Sequence, residues 1–208
     1  MATLTPTKRS GAQSPATERF YVEPDLEMRT ATLAELLPDS VDSAFVANLL
    51  SAMLTHERCG VHLYRSVAGR TTEPDARAKY EEFGQQTLRH VEILEQLIAS
   101  AGGNPNYVSF YARAVEATNS RILESTFALA GSTDLLTQEM SMLDAVLLAE
   151  TIDHANWTTV AAIAELLPEG PLRSAFEAAV DEVEAQEDEH LEWAKETRQQ
   201  LVLQLVTP

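Results

Sequence analysis

The stretch "LLAETIDHANW", residues 147–157, sets Leu147, Glu150, His154 and Trp157 at steps of three and four. That spacing keeps side chains on one face of a helix. The ends of the stripe are apolar, as the inner face of a packed helix requires. Its two middle positions carry a carboxylate and an imidazole, which are costly to bury unless something pairs them. How those two residues are read decides both the fold and its chemistry.

The same pattern recurs in three other segments. Helices are predicted over 40–69, 74–102, 133–167 and 171–205, and no run of alternating residues competes for a strand. Each has a seam that alternates steps of four and three, as in helices that face one another in a bundle. The first seam runs from Val46 through Glu57 to Val67, and the second from Ala76 through Thr87 and His90 to Ala101. The third runs from Leu136 through Glu150 and His154 to Ala164, and the fourth from Phe176 through Glu187 and His190 to Leu201. Pro74 and Pro171 suit first helical turns, and Gly102 and Gly103 suit a helix end.

The connections "TTEP" and "LPEGP" are short, so helices one and two, and three and four, are expected as antiparallel hairpins. Between the hairpins lies Asn104–Thr133, which includes the apolar, helix-like piece "SRILESTFALAG" and can run the length of a bundle. The expectation is an all-α four-helix bundle over residues 41–208, with two antiparallel hairpins joined by a long crossover. An irregular arm over residues 1–40 precedes it, carrying Pro6, Pro15, Pro24 and Pro38 among polar residues.

Every seam is apolar at its ends and ionisable near its middle. At about 1.5 Å per residue the ionisable levels match in height. Glu57, His90, Glu150, His154, Glu187 and His190 are therefore expected to converge in the core. No Lys or Arg occupies a seam position, so a bound cation is the natural counter-charge. Carboxylate and imidazole donors suit iron, manganese or zinc. The single cysteine, Cys59, rules out a thiolate site or an internal disulfide and is expected as a packing residue.

This ordered set resembles the ferritin-like superfamily, in particular its rubrerythrin-like members. These carry a Glu on helix one, Glu-x-x-His on helix two, a Glu on helix three and Glu-x-x-His on helix four. Glu57 in "ERCGVHLY", with Tyr64 seven residues on, is similar to the first element; His90, Glu150 and the Glu187/His190 pair in "EDEH" match the others. The resemblance implies two iron ions, with manganese or zinc as alternatives, and oxidoreductase chemistry such as Fe(II) oxidation or peroxide reduction. It also implies a homo-oligomer, a dimer or larger. The electron donor would be a separate protein, because the rubredoxin-type module needs cysteines absent here.

One position departs from the family: Thr87 stands where the second-helix Glu commonly bridges the metals. His154 is expected to supply the missing coordination from the opposite hairpin. A rearranged dinuclear site, a mononuclear site and a degenerate bundle with a structural or interaction role all stay open. His56 and His62 flank Glu57 off the seam and are expected at the surface or behind the ligands. Tyr64 and Trp157 are expected as aromatic core packing.

The formal net charge of −17 argues against a nucleic-acid or anionic-membrane partner, since both need a positive surface. No segment approaches the roughly 20 apolar residues of a spanning helix, and the first residues lack the apolar block of a signal peptide. A cytoplasmic protein is the expectation.

Overall fold

The computed structural model describes residues 37, 38, 41–131 and 134–207. Apart from Leu37 and Pro38, the expected arm over residues 1–40 lies outside them. Five helices follow in order: α1 Ser43–Ala68, α2 Pro74–Ser100, α3 Phe110–Ser125, α4 Leu135–Leu166 and α5 Pro171–Val206. Among the described residues there is no strand, and no helix is long and apolar enough to cross a membrane.

Local chemistry starts and stops these helices close to the expected places. The Asp42 carboxylate accepts the Phe45 amide at 3.0 Å to open α1, and Asp134 accepts that of Thr137 at 2.8 Å to open α4. Pro74 and Pro171 stand in the first turns of α2 and α5. Gly102, at φ 79°, turns the chain out of α2. The crossover helix differs from expectation. It spans Phe110–Ser125, opened by the Ser109 hydroxyl accepting from Ala112 N at 3.0 Å, and residues 126–131 form turns. Its buried side is only Ala112, Asn119 and Ile122, too short an apolar stripe to mark the helix in the sequence.

Helices α1 and α2 pack as one antiparallel hairpin, and α4 and α5 as another. Contacts also join α2 to α5 and α1 to α4, closing a ring of four, while α3 covers α1 and α4. The buried apolar residues separate into two layers. One joins the start of α1 and the end of α2 to the end of α4 and the start of α5, through Leu50, Met53, Leu94, Trp157, Val160 and Phe176. The other holds the opposite halves, through Tyr64, Val67, Tyr80, Phe83, Met142 and Val146. The hairpin turns therefore lie at opposite ends, and the segment from α2 to α4 travels the length of the bundle.

Polar ties fasten this crossover and the turns. Ser51 Oγ donates to the Tyr107 carbonyl at 2.8 Å and accepts from Ser109 N at 3.0 Å, holding the start of the crossover on α1. At the far end, buried Glu139 of α4 accepts from Thr71 Oγ1 and from Thr72 N, both at 2.8 Å, pinning the α1–α2 turn. Removing this acceptor leaves buried donors without a partner. Glu139→Ala should lower the stability measured by urea unfolding by about 2 kcal/mol, with the far-UV circular dichroism of the native state retained.

Candidate metal centre

Between the two apolar layers, α1, α2, α4 and α5 each deliver ionisable side chains to one level. Glu57, His90, Glu150, Glu187 and His190 are all buried there. They form two groups of potential ligands, Glu57–His90–Glu187 and Glu150–Glu187–His190, each with donor atoms within 4.8 Å of one another. Glu187 belongs to both.

The inward atoms approach closely without satisfying one another. His90 Nδ1 lies 3.0 Å from Glu187 Oε1 and 3.7 Å from Glu57 Oε2. His190 Nδ1 lies 3.3 Å from Glu150 Oε2 and 3.7 Å from Glu187 Oε1. Yet Glu57 Oε2, Glu150 Oε2, both Glu187 oxygens and both Nδ1 atoms make no hydrogen bond. Buried polar atoms are nearly always paired. A set of anionic oxygens and imidazole nitrogens that converge without pairing could hold metal ions.

Outward-facing atoms are held firmly. His90 Nε2 donates to Gln186 Oε1 at 2.9 Å, and His190 Nε2 donates to Gln86 Oε1 at 2.7 Å. Each histidine thus leans on a glutamine from the other hairpin, which directs its Nδ1 lone pair inward. Trp157 Nε1 donates to Glu57 Oε1 at 2.8 Å, so this tryptophan orients a carboxylate as well as packing. Next to Glu57, buried His56 donates from Nε2 to the Ala149 carbonyl at 3.2 Å and accepts at Nδ1 from Asn119 Nδ2 at 3.1 Å. It supports the site from behind and ties α1, α3 and α4 together. Tyr64 stacks edge-on to His190, with centroids 6.0 Å apart, and its hydroxyl is buried without a partner. It also lines a surface groove of about 350 Å³ between α1 and α2, so the outside comes within one side chain of the centre.

His154 does not join the others. Its side chain is 39% exposed and its Nε2 pairs with Asp188 Oδ1 at 3.0 Å on the outer face. The buried residue one position earlier, Asp153, takes the inward place. The seam of α4 actually runs Leu143, Val146, Glu150, Asp153, Trp157, Val160, Ala164. That phase follows the same alternation of three and four, and was present in the sequence. It was masked because α4 is also apolar outside, with Leu148 and Ile152 exposed, so apolarity alone could not choose between the phases. Cys59 is half-buried, its thiol pushed up by burial and by Glu116, and it stands outside both ligand groups.

Crowding of charge shifts these groups. Burial pushes the Glu187 carboxyl up to about 7, against the opposing pull of His90 and His190. Asp153 rises well above the usual carboxylate range through burial and then through Glu57, Glu187 and Glu150. Burial by itself would lower His90, but Glu187 and Glu57 outweigh it and raise it to about 10. His56 is lowered, chiefly by burial.

In protein prepared without metal, Glu187 keeps its proton between its ordinary 4.5 and about 7, and His90 between 6.5 and about 10. The folded chain then binds more protons than the unfolded one, so these groups favour folding at low pH and lose that effect as pH rises. His56 opposes this trend only below its ordinary 6.5. The melting temperature of metal-free protein should therefore fall between pH 6.5 and about 10, and saturating Mn(II) or Zn(II) should flatten the decline, as followed by scanning calorimetry. At constant pH, Gln86→Leu or Gln186→Leu should weaken metal binding about 10–100-fold, while His154→Ala leaves the metal content unchanged.

No protein-family model, curated protein or solved structure matches the chain.

Proposed function

We propose that this chain is a ferritin-like, rubrerythrin-like non-haem metal protein, with two iron ions as the favoured occupants and manganese or zinc as alternatives. Its chemistry would be that of an oxidoreductase, in the manner of Fe(II) oxidation or peroxide reduction. The observation that carries this reading is the pair of buried Glu/Glu/His groups sharing Glu187, whose inward atoms have no hydrogen-bond partner among the described residues. Two antiparallel hairpins linked by a crossover of bundle length support the ferritin-like topology.

Bound iron would supply the valence change and polarise an oxidant. The chain's own residues have separable tasks. Glu57 and Glu150 neutralise charge from opposite sides, and Glu187 lies between them. His90 and His190 offer nitrogen donors kept in orientation by Gln186 and Gln86. The apolar layers on either side exclude water, which strengthens every electrostatic contact in the site. With one cysteine in the sequence, the reductant for a full catalytic cycle is a separate donor.

Association into a homo-oligomer belongs to the same proposal. Leu148 and Ile152, exposed one turn apart on α4, provide an apolar face for it. Thr87 favours a second reading, a structural bundle derived from such proteins. The Thr87 hydroxyl donates to the Phe83 carbonyl at 2.9 Å and adds no charge to the centre.

Anaerobic titration with Fe(II), followed by air or hydrogen peroxide, distinguishes the two. Uptake of about two Fe(II) per chain and growth of near-ultraviolet ferric absorption are expected, with Glu187→Ala losing both. A folded protein that takes up no Fe(II), Mn(II) or Zn(II) would establish the structural bundle instead.

A further inference from the structure

Asp153 is the one buried carboxylate at the centre that neither ligand group includes. It lies one turn after Glu150 on α4, is 5% exposed, and its Oδ1 is buried with no hydrogen-bond partner. Its charged neighbours are Glu57, within reach of a hydrogen bond when Asp153 is protonated, then Glu187 and Glu150, so it sits among all three glutamates. Among the described residues no Lys or Arg pairs with it. Nothing in the packing of an apolar core explains an aspartate there; ionised, it adds repulsion to a site already short of positive charge.

The two hairpins show what it replaces. Gln86 and His90 of α2 match Gln186 and His190 of α5, and Glu57 of α1 matches Glu150 of α4. By the same correspondence Thr87 matches Glu187, and Gly60 matches Asp153. In the first hairpin those two positions are small and uncharged, packed so tightly that a Cβ on Gly60 would meet the Thr87 methyl at 3.1 Å. In the second hairpin both are carboxylates. The charge missing beside α2 reappears on α4.

We propose that Asp153 is a metal ligand, the fourth carboxylate of a dinuclear centre that Thr87 leaves one carboxylate short. The inference rests on the metal-centre reading above. Three glutamates with neutral histidines would leave two divalent ions with one uncompensated positive charge in a buried site. Four carboxylates balance them, and burial of net charge is what a low-dielectric core penalises most.

The test loads the full chain with Co(II) and measures stoichiometry by elemental analysis and affinity by calorimetry. Wild type should bind two Co(II). Asp153→Asn keeps the size and removes the charge; it should bind one, or bind the second at least about 10-fold more weakly. Asp188→Asn, on the outer face, should bind both as wild type does. Two ions bound by Asp153→Asn with unchanged affinity would overturn the inference and leave the metal centre standing. Wild type that is folded and binds no Co(II) would overturn both. Should Asp153→Asn fail to fold, anomalous scattering from Co(II)-loaded wild-type crystals decides. An Asp153 oxygen about 2.0–2.2 Å from an ion supports ligation; one that only hydrogen-bonds to Glu57 refutes it.

Discussion

Several carboxylates held in the middle of an apolar bundle constrain everything else in this structure. Glu57, Glu150, Asp153 and Glu187 are buried between two hydrophobic layers, with His90 and His190 among them and His56 behind Glu57. Like charges at this spacing repel strongly where water cannot screen them. The protein answers in part by retaining protons: burial raises Glu187 and Asp153, and the glutamates raise His90. A divalent ion would replace those protons with fixed charge, turning the least favourable region of the core into a cross-link among four helices.

The supporting residues are arranged for that outcome. Gln86 and Gln186 each accept from the outer nitrogen of a histidine on the opposite hairpin, so the two hairpins are coupled through the site itself. Trp157 performs a similar task for Glu57. His56, bonded to Asn119 and to the Ala149 carbonyl, links the crossover helix to the backbone beside Glu150. Neutral amides behind the histidines leave them less electron-rich than carboxylate partners would. The approximate symmetry of the hairpins breaks at Thr87 and Gly60 against Glu187 and Asp153, which gathers negative charge on the α4–α5 side.

Such a centre also divides the labour of stability. The apolar layers, with Tyr64, Phe83 and Val67 on one side and Leu50, Leu94 and Phe176 on the other, supply the hydrophobic driving force. Ties such as Glu139 to the α1–α2 turn and Ser51 to the crossover fix the ends. The middle is then free to hold groups that would destabilise an unsupported helix pair. Tyr64, between the groove and His190, is the point where surface and centre come closest.

The four bundle helices, their hairpin pairing and five of the six residues expected at the centre were legible from the sequence because each depends on local chemistry and a repeating step. Pro74 and Pro171 mark first helical turns by their own geometry, and a seam that is apolar at both ends identifies the odd charged residue between them. The rotation of α4 was not legible. With apolar residues on its inner and outer faces, the sequence permitted both Glu150–His154 and Glu150–Asp153 as the inward pair. Only packing against α1 and α5 chose: it buries Asp153 beside the glutamates and leaves His154 at the surface, paired with Asp188. Nor could spacing along one chain reveal the crossed glutamine–histidine pairs, which exist only once two hairpins face each other. Periodicity thus determined which helices form and which carry charge; the tertiary fold decided which charges meet, because that depends on helix rotation.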